Sequence, residues 1–330
     1  MTKIKALALF SGGLDSILAT KLILNQGIDV VALNFVSPFC HCEKGGRCVT
    51  ETAEKLGLPL MVLNASDEYL KMVQKPKHGY GKNMNPCIDC RIFIFKKAKK
   101  VAEEIGASFI FTGEVLDERP MSQHFQAMKI IEEEAGLKGR ILRPLSARLL
   151  PKTIVEKEGL VDRKKLLGIR GRSRKPQIKL AEELKVKDYP GPSGGCLLTY
   201  KEYADKLRDL FQHKKRCSMV DVALLKVGRH FRLGKNKIIV GRNEAENKLL
   251  IANRGRNDYY FEVPDIGSPI TVLQGAKTKK AISTAAALTA FYSDTKDSEV
   301  KVNFGGDKLD KSVTVSVPVR NEVESLRVGN

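Results

Sequence analysis

Along the first half of the chain, short apolar runs alternate with stretches of helical periodicity. Ala6–Phe10, Val30–Val36, Pro59–Leu63 and Phe109–Thr112 read as strands, while Ser16–Asn25, Val49–Leu56 and Ile92–Ile105 carry the spacing of helices. Strand–helix alternation of this kind predicts an α/β fold, a parallel twisted sheet with helices on both faces. In such sheets ligands bind beyond the carboxyl ends of the strands. The stretch Lys75–Asp89, with Pro76, Gly79, Gly81 and Pro86, reads as an ordered loop. Further on, Ile178–Lys185 and Tyr200–Gln212 are helical, separated by the breaker Pro190-Gly191-Pro192-Ser193-Gly194-Gly195.

After about residue 216 the pattern changes. Phe231–Leu233 and Lys237–Val240 form a hairpin around Gly234-Lys235-Asn236, and Tyr259–Val263, Ile270–Leu273 and Ser312–Val319 read as strands. Lys277–Tyr292 is a helix. The expectation is therefore two domains, residues 1–205 and a smaller α+β domain over 216–330.

Composition narrows the function. Apolar content is 42%, ordinary for a globular protein, and no apolar run is long enough to span a bilayer. Ala6–Phe10 is too short for a signal-peptide core, so the expected location is the cytoplasm. The net charge of +19 favours a polyanionic partner, nucleic acid above all, and no basic amphipathic helix points to a membrane surface. Seven cysteines in a reducing compartment argue against a disulfide framework and for metal binding or sulfur chemistry.

Ser11-Gly12-Gly13-Leu14-Asp15-Ser16 follows the first strand and opens the first helix. The glycines let the backbone approach an anion, helix-start N–H groups point at it, and the serines add hydroxyl donors. Asp15 is placed to hold Mg²⁺ on a departing pyrophosphate. The loop lacks the Walker lysine, which suits cleavage between the α and β phosphates of ATP. In these residues the chain resembles the ATP pyrophosphatase, or PP-loop, superfamily.

Asn85-Pro86-Cys87-Ile88-Asp89-Cys90-Arg91 places two thiols on one turn just before a long helix. The C-x-x-C spacing serves a metal, a cluster or a redox pair. Cys196, after Ser193-Gly194-Gly195, can join them from a distance. The trio resembles that of the iron–sulfur-dependent tRNA thiolation enzymes of the superfamily, which implies a 4Fe-4S cluster on Cys87, Cys90 and Cys196 with one iron open for sulfide. Thr112-Gly113-Glu114, Met121-Ser122-Gln123 and Arg143-Pro144-Leu145 are similar to segments of the tRNA 4-thiouridine synthetases, implying that Gly113, Glu114, Ser122 and Gln123 line the adenylation site. That likeness covers roughly residues 5 to 200. Against the family pattern, the expectation is a departure: no RNA-binding extension is read before the phosphate loop at Ser11, and no appended rhodanese domain is read. Cys40, His41, Cys42 and Cys48 form a further group, read either as a metal or persulfide site or as a loop without special chemistry.

Gly171-Arg172-Ser173-Arg174-Lys175-Pro176-Gln177 is a cationic stretch, either an RNA-backbone contact through Arg172, Arg174 and Lys175 or a solvated helix entry. Farther on, Val240–Asn247, Asn257–Phe261 and Asp265–Ser268 resemble the RNA-binding domain of the NFACT proteins. Arg242 and Asn243 would offer polar donors and Tyr260 a stacking surface, unless the aromatics are core residues of a strand. Where that family has Trp-Phe-His this chain has Tyr260, Phe261 and Glu262, and its Gly-Ser-His is Gly267-Ser268-Pro269. Together these resemblances imply an ATP-dependent tRNA sulfurtransferase that adenylates a uridine carbonyl and replaces its oxygen by sulfur from a cysteine desulfurase or free sulfide. The rival readings are adenylation of another acceptor and a non-catalytic RNA- or ribosome-binding factor. Sequence leaves open the uridine position, the sulfur donor and the oligomeric state.

Overall fold

A computed structural model of the chain describes residues 4–40, 47–191 and 195–329, the side chains of 47 and 48 excepted. His41, Cys42, Ser193 and Gly194, and the Cys48 side chain, lie outside the described residues. Contacts divide the chain into two compact units, Met1–Leu197 and Leu198–Asn330.

In the first unit, β1 (Lys5–Leu9) leads through the glycine turn into α1 (Leu14–Leu24), followed by β2 (Asp29–Val36), α2 (Arg47–Lys55), β3 (Leu60–Asn64) and α3 (Asp67–Gln74). The long α4 (Cys87–Glu104) then precedes β4 (Phe109–Thr112), α5 (Phe125–Glu134), β5 (Ile141–Leu142), α6 (Ile154–Lys157) and α7 (Lys175–Glu183). The five strands pair in parallel in the order β3-β2-β1-β4-β5. Alternation along the central strand splits the core in two. Ala6 and Ala8 pack with α1, α2 and α7, whereas Leu7 packs on the other face with Phe95 of α4 and Ile131 of α5. α1 is buried nearly all round, which explains its lack of a polar face. Chain order reverses beside β1, so the loops after β1 and β4 meet at the carboxyl end of the sheet.

The cysteine pair is placed differently from the sequence reading. α4 begins at Cys87 rather than near Ile92, so Cys87 and Cys90 occupy its first turn. Pro86 precedes the helix without needing an N–H donor, and the Cys90 amide donates to the Pro86 carbonyl at 2.8 Å. Helices α3 and α5 and strand β5 were missed. Each is short or amphipathic only in part, and each is set by packing on its neighbours rather than by its own periodicity.

The second unit opens with α8 (Lys201–His213) and α9 (Met219–Leu224). The hairpin β6 (Arg229–Leu233) and β7 (Asn236–Val240) turns at Gly234, whose φ of 56° suits glycine. Then follow α10 (Glu244–Asn253), β8 (Tyr259–Glu262), β9 (Thr271–Gln274), α11 (Lys279–Phe291), β10 (Glu299–Gly305), β11 (Lys311–Ser316) and α12 (Arg320–Ser325). The six strands form an antiparallel sheet in the order β11-β10-β8-β9-β7-β6, and the alanine-rich side of α11 packs on it. Among the described residues no helix is long and apolar enough to cross a membrane.

Candidate functional site

The phosphate loop is shaped by close approach. Gly12 has a φ of 72°, and a Cβ there would meet Val49 at 3.1 Å. From the other side Gly113 lies on the Asp15–Ser16 peptide, where a Cβ would stand 2.6 Å from both the Asp15 carbonyl carbon and the Ser16 nitrogen. The Ser16 hydroxyl donates to the Gly13 carbonyl at 2.8 Å, and the Gly13 amide approaches the Ser11 hydroxyl at 3.4 Å. Leu14 is core. Asp15 is half-buried, with Oδ1 buried and without a hydrogen-bond partner, and burial raises its carboxyl above the ordinary range.

Glu114 serves a purpose the sequence did not disclose. Its carboxylate meets Arg91 at 3.1 Å and Arg143 at 3.0 Å, and accepts from the Thr112 hydroxyl at 3.2 Å. Arg143 also pairs with Glu132. Burial alone would push the Glu114 carboxyl up, but Arg91 and Arg143 hold it below its ordinary value. Three sequence motifs, the one around the cysteine pair, Thr112-Gly113-Glu114 and Arg143-Pro144-Leu145, are thus joined by one buried ion-pair network. Gln123 is likewise structural. Its side-chain oxygen accepts from the Arg119 amide at 3.0 Å and closes the loop after β4.

Two of the three thiols lie near Tyr69 of α3. The Cys87 thiol donates to the buried Ser122 hydroxyl at 3.1 Å, and Cys90 contacts the Tyr69 hydroxyl at 3.2 Å. Burial raises the Cys90 thiol, and pushes the Tyr69 phenol well above its ordinary value. Cys196 also lies within electrostatic reach of Tyr69. It is held there by a bridge to Cys40, next to which the Leu197 amide donates to the Phe39 carbonyl at 2.8 Å. Tyr69 escaped the sequence reading because α3 itself did. Among the described residues no three His, Cys, Asp or Glu side chains converge closely enough to hold a single metal ion. A cubane cluster is larger than one ion and takes thiols standing farther apart; Cys90 touches the phenol, Cys196 lies within electrostatic reach of it and Cys87 within reach of Cys90, so the donor set fits that group in chemistry. Asp89, between the two thiols, is occupied. It accepts the Lys77 and His78 amides, each at 3.0 Å, and so orders the preceding loop.

Among the predicted RNA contacts, Arg172 and Lys175 are exposed, whereas Arg174 is half-buried and within electrostatic reach of Asp15. In the second unit Arg242 pairs with Glu246, and the Asn243 side chain caps α10 by accepting from the Glu246 amide at 3.0 Å. Gly241 is required because a side chain would run into Asn247, whose side-chain oxygen Oδ1 accepts from the Ile270 amide at 3.0 Å. Much of this motif therefore builds turns. Phe261 is core, stacked on Phe304 with ring centres 5.4 Å apart. Tyr260 is half-buried under the Arg254 guanidinium, 4.9 Å from its ring centre, and Tyr259 has Lys277 and Lys311 each at 5.3 Å.

Residues 1–168 match the family model of the thiamine biosynthesis protein (ThiI), and residues 228–326 match that of the NFACT protein RNA binding domain. The tRNA-specific 2-thiouridylase MnmA of Clostridium acetobutylicum is 35% identical over 118 residues, covering 31% of this chain and 33% of that protein. A probable tRNA sulfurtransferase of Thermococcus kodakarensis is 28% identical over 172 residues, covering 51% of this chain and 42% of that one. The chain spans about a third to two fifths of the length of these relatives. A solved 4-thiouridine synthetase–RNA complex with bound ATP is 25% identical, with a TM-score of 0.36, over 55% of this chain and 51% of that chain.

Proposed function

The chain belongs to the thiamine biosynthesis protein (ThiI) family, and from that premise we propose that it is a cytoplasmic ATP-dependent tRNA sulfurtransferase. A uridine carbonyl oxygen attacks the α-phosphorus of ATP, the α–β phosphate bond breaks, and pyrophosphate leaves. The Ser11–Ser16 loop presents N–H and hydroxyl donors to the phosphates, and Asp15 would hold Mg²⁺, which when bound neutralises charge on the phosphates. A sulfur nucleophile then adds at the activated carbon, and AMP departs with the former carbonyl oxygen. Cys87, Cys90 and Cys196 would hold a 4Fe-4S cluster, which when bound offers an open iron for sulfide. Arg172 and Lys175, with Arg242, Asn243 and Tyr260 of the second unit, supply RNA affinity, and the phosphate contacts lower the entropic cost of the encounter. The sulfur comes from a cysteine desulfurase or from free sulfide.

One observation carries this reading: Gly113 lies against the Asp15–Ser16 peptide, and the next residue, Glu114, pairs with Arg91 beside Cys90. This supports neighbouring phosphate and sulfur ends, as a base adenylated at one and thiolated at the other requires. The test is the thiolated-nucleoside content of tRNA from a deletion strain, with activity restored by the wild-type chain but not by Cys87→Ala. Unchanged thiolation in the deletion strain would sink the proposal. Anaerobic purification with iron and acid-labile sulfide analysis decides the cluster. About four of each per chain, lost in Cys87→Ala, is the expected result.

A further inference from the structure

The cationic stretch read as RNA-facing leads into α7, whose inner face looks elsewhere. Leu180 and Ala181 pack into the core that α1 also builds, and Gln177, one turn earlier, is 0% exposed. Gln177 stands close enough to the Asp15 carboxylate to favour its charged form, yet neither its amide nitrogen nor its side-chain oxygen meets a partner in full hydrogen-bond geometry. Asp15 Oδ1 is unpartnered too. A buried amide with both ends unsatisfied is costly unless something else completes it.

Two arginines stand around that place. Leu116 and Arg170 form a parallel bridge, and the Gly171 amide donates to the Leu116 carbonyl at 2.7 Å. Two segments thus run side by side toward the phosphate loop, and Arg119 and Arg174 follow the bridge by three and four residues. Both lie within electrostatic reach of Asp15 and Glu118, and neither guanidinium forms an ion pair or hydrogen bond among the described residues. By contrast Arg91, Arg143, Arg163 and Arg170 are all paired with carboxylates.

We propose that Arg119 and Arg174 clamp the magnesium-bound triphosphate tail of ATP, and then the departing pyrophosphate, while Gln177 positions Asp15 beneath it. The proposal rests on the sulfurtransferase reading for its nucleotide and reassigns Arg174 from RNA to ATP. Arg119 and Arg174 balance Asp15 and Glu118 in charge, so the site suits a magnesium–phosphate complex better than a bare anion. Planar guanidiniums bind phosphate oxygens two at a time, which an ammonium cannot copy.

The experiment measures MgATP, magnesium pyrophosphate and unmodified tRNA binding by the full chain, by calorimetry and filter retention. The variants are Arg119→Ala, Arg174→Ala, Arg174→Lys and Gln177→Leu, with the exposed Lys179→Ala as charge control, each checked for wild-type melting. Arg174→Ala and Arg119→Ala are each expected to weaken MgATP and magnesium pyrophosphate about tenfold or more, with tRNA affinity changed less than about twofold. Arg174→Lys should recover only part of the loss. Pyrophosphate binding by the wild type should fall away without magnesium. Unchanged nucleotide binding with weaker tRNA binding and a salt slope reduced by about one would overturn the clamp and return Arg174 to the RNA. A wild type that binds neither nucleotide nor pyrophosphate overturns it as well. Failure of the sulfurtransferase reading looks different: tRNA thiolation is absent while the arginine-dependent nucleotide binding persists.

Discussion

A Cβ on Gly113 would stand 2.6 Å from the carbonyl carbon of Asp15. The strand end that carries Gly113 and the turn that carries Asp15 therefore touch backbone to backbone, and neither can move without the other. Gly113→Ala should displace the Asp15–Ser16 peptide, destabilise the first unit by about 1–3 kcal/mol, and lower MgATP affinity far more than that loss of stability explains. Calorimetry alongside thermal melting separates the two effects. Unimpaired ATP binding would show that the contact is not needed.

Glu114 is expected to be an anchor of the fold. Glu114→Gln leaves Arg91 and Arg143 without their shared carboxylate, and should cost about 3–5 kcal/mol in denaturant unfolding. The arginines hold the folded carboxyl below its ordinary value, so the folded state releases this proton more readily than the unfolded chain does. Its stabilisation is complete above the ordinary carboxylate range and is lost as pH falls through the lowered folded value. Glu114→Gln should therefore lose stability at neutral pH and be less sensitive to acid than the wild type.

Cys40 and Cys196 face each other across an antiparallel bridge, and the bond from the Leu197 amide to the Phe39 carbonyl makes them a non-hydrogen-bonded pair. Side chains at such positions are closest, with Cα atoms about 4.5 Å apart, within disulfide range. Diamide, which accepts the two electrons and two protons released, should join them in the cluster-free protein. Peptide mapping would find Cys40 linked to Cys196, and a Cys87–Cys90 link instead would contradict this geometry.

In the second unit Asp209 of α8 accepts from Arg232 at 2.5 Å and from Lys237 at 2.5 Å. Burial lowers the Lys237 ammonium to about 8 even with Asp209 beside it. Asp209→Ala removes the only carboxylate paired with Lys237 among the described residues. It should cost about 3–5 kcal/mol, whereas Asp209→Ala/Lys237→Met should recover much of the loss. Equal destabilisation of the single and double variants would mean that the pair is not the source.

The sequence by itself determined the strand order in time and the local turns. Apolar runs marked β1 to β4, the glycine signature marked the phosphate loop, and the hairpin around Gly234 was visible because a two-residue reversal is local chemistry. Strand β10 alternates clearly after the polar cluster Ser293–Ser298 and was legible in the sequence too. What tertiary structure alone decided is which side chains meet. Glu114, Arg91 and Arg143 are far apart in sequence and become one network because parallel strands bring their carboxyl ends together. Tyr69 enters the thiol site on a helix too short to announce itself. Arg174 looked like one more cation in a basic run, and only the packing of α7 against the α1 core turned it toward Asp15. Periodicity records which face of an element is buried, whereas the partner across that face is fixed by long-range packing that no local window contains.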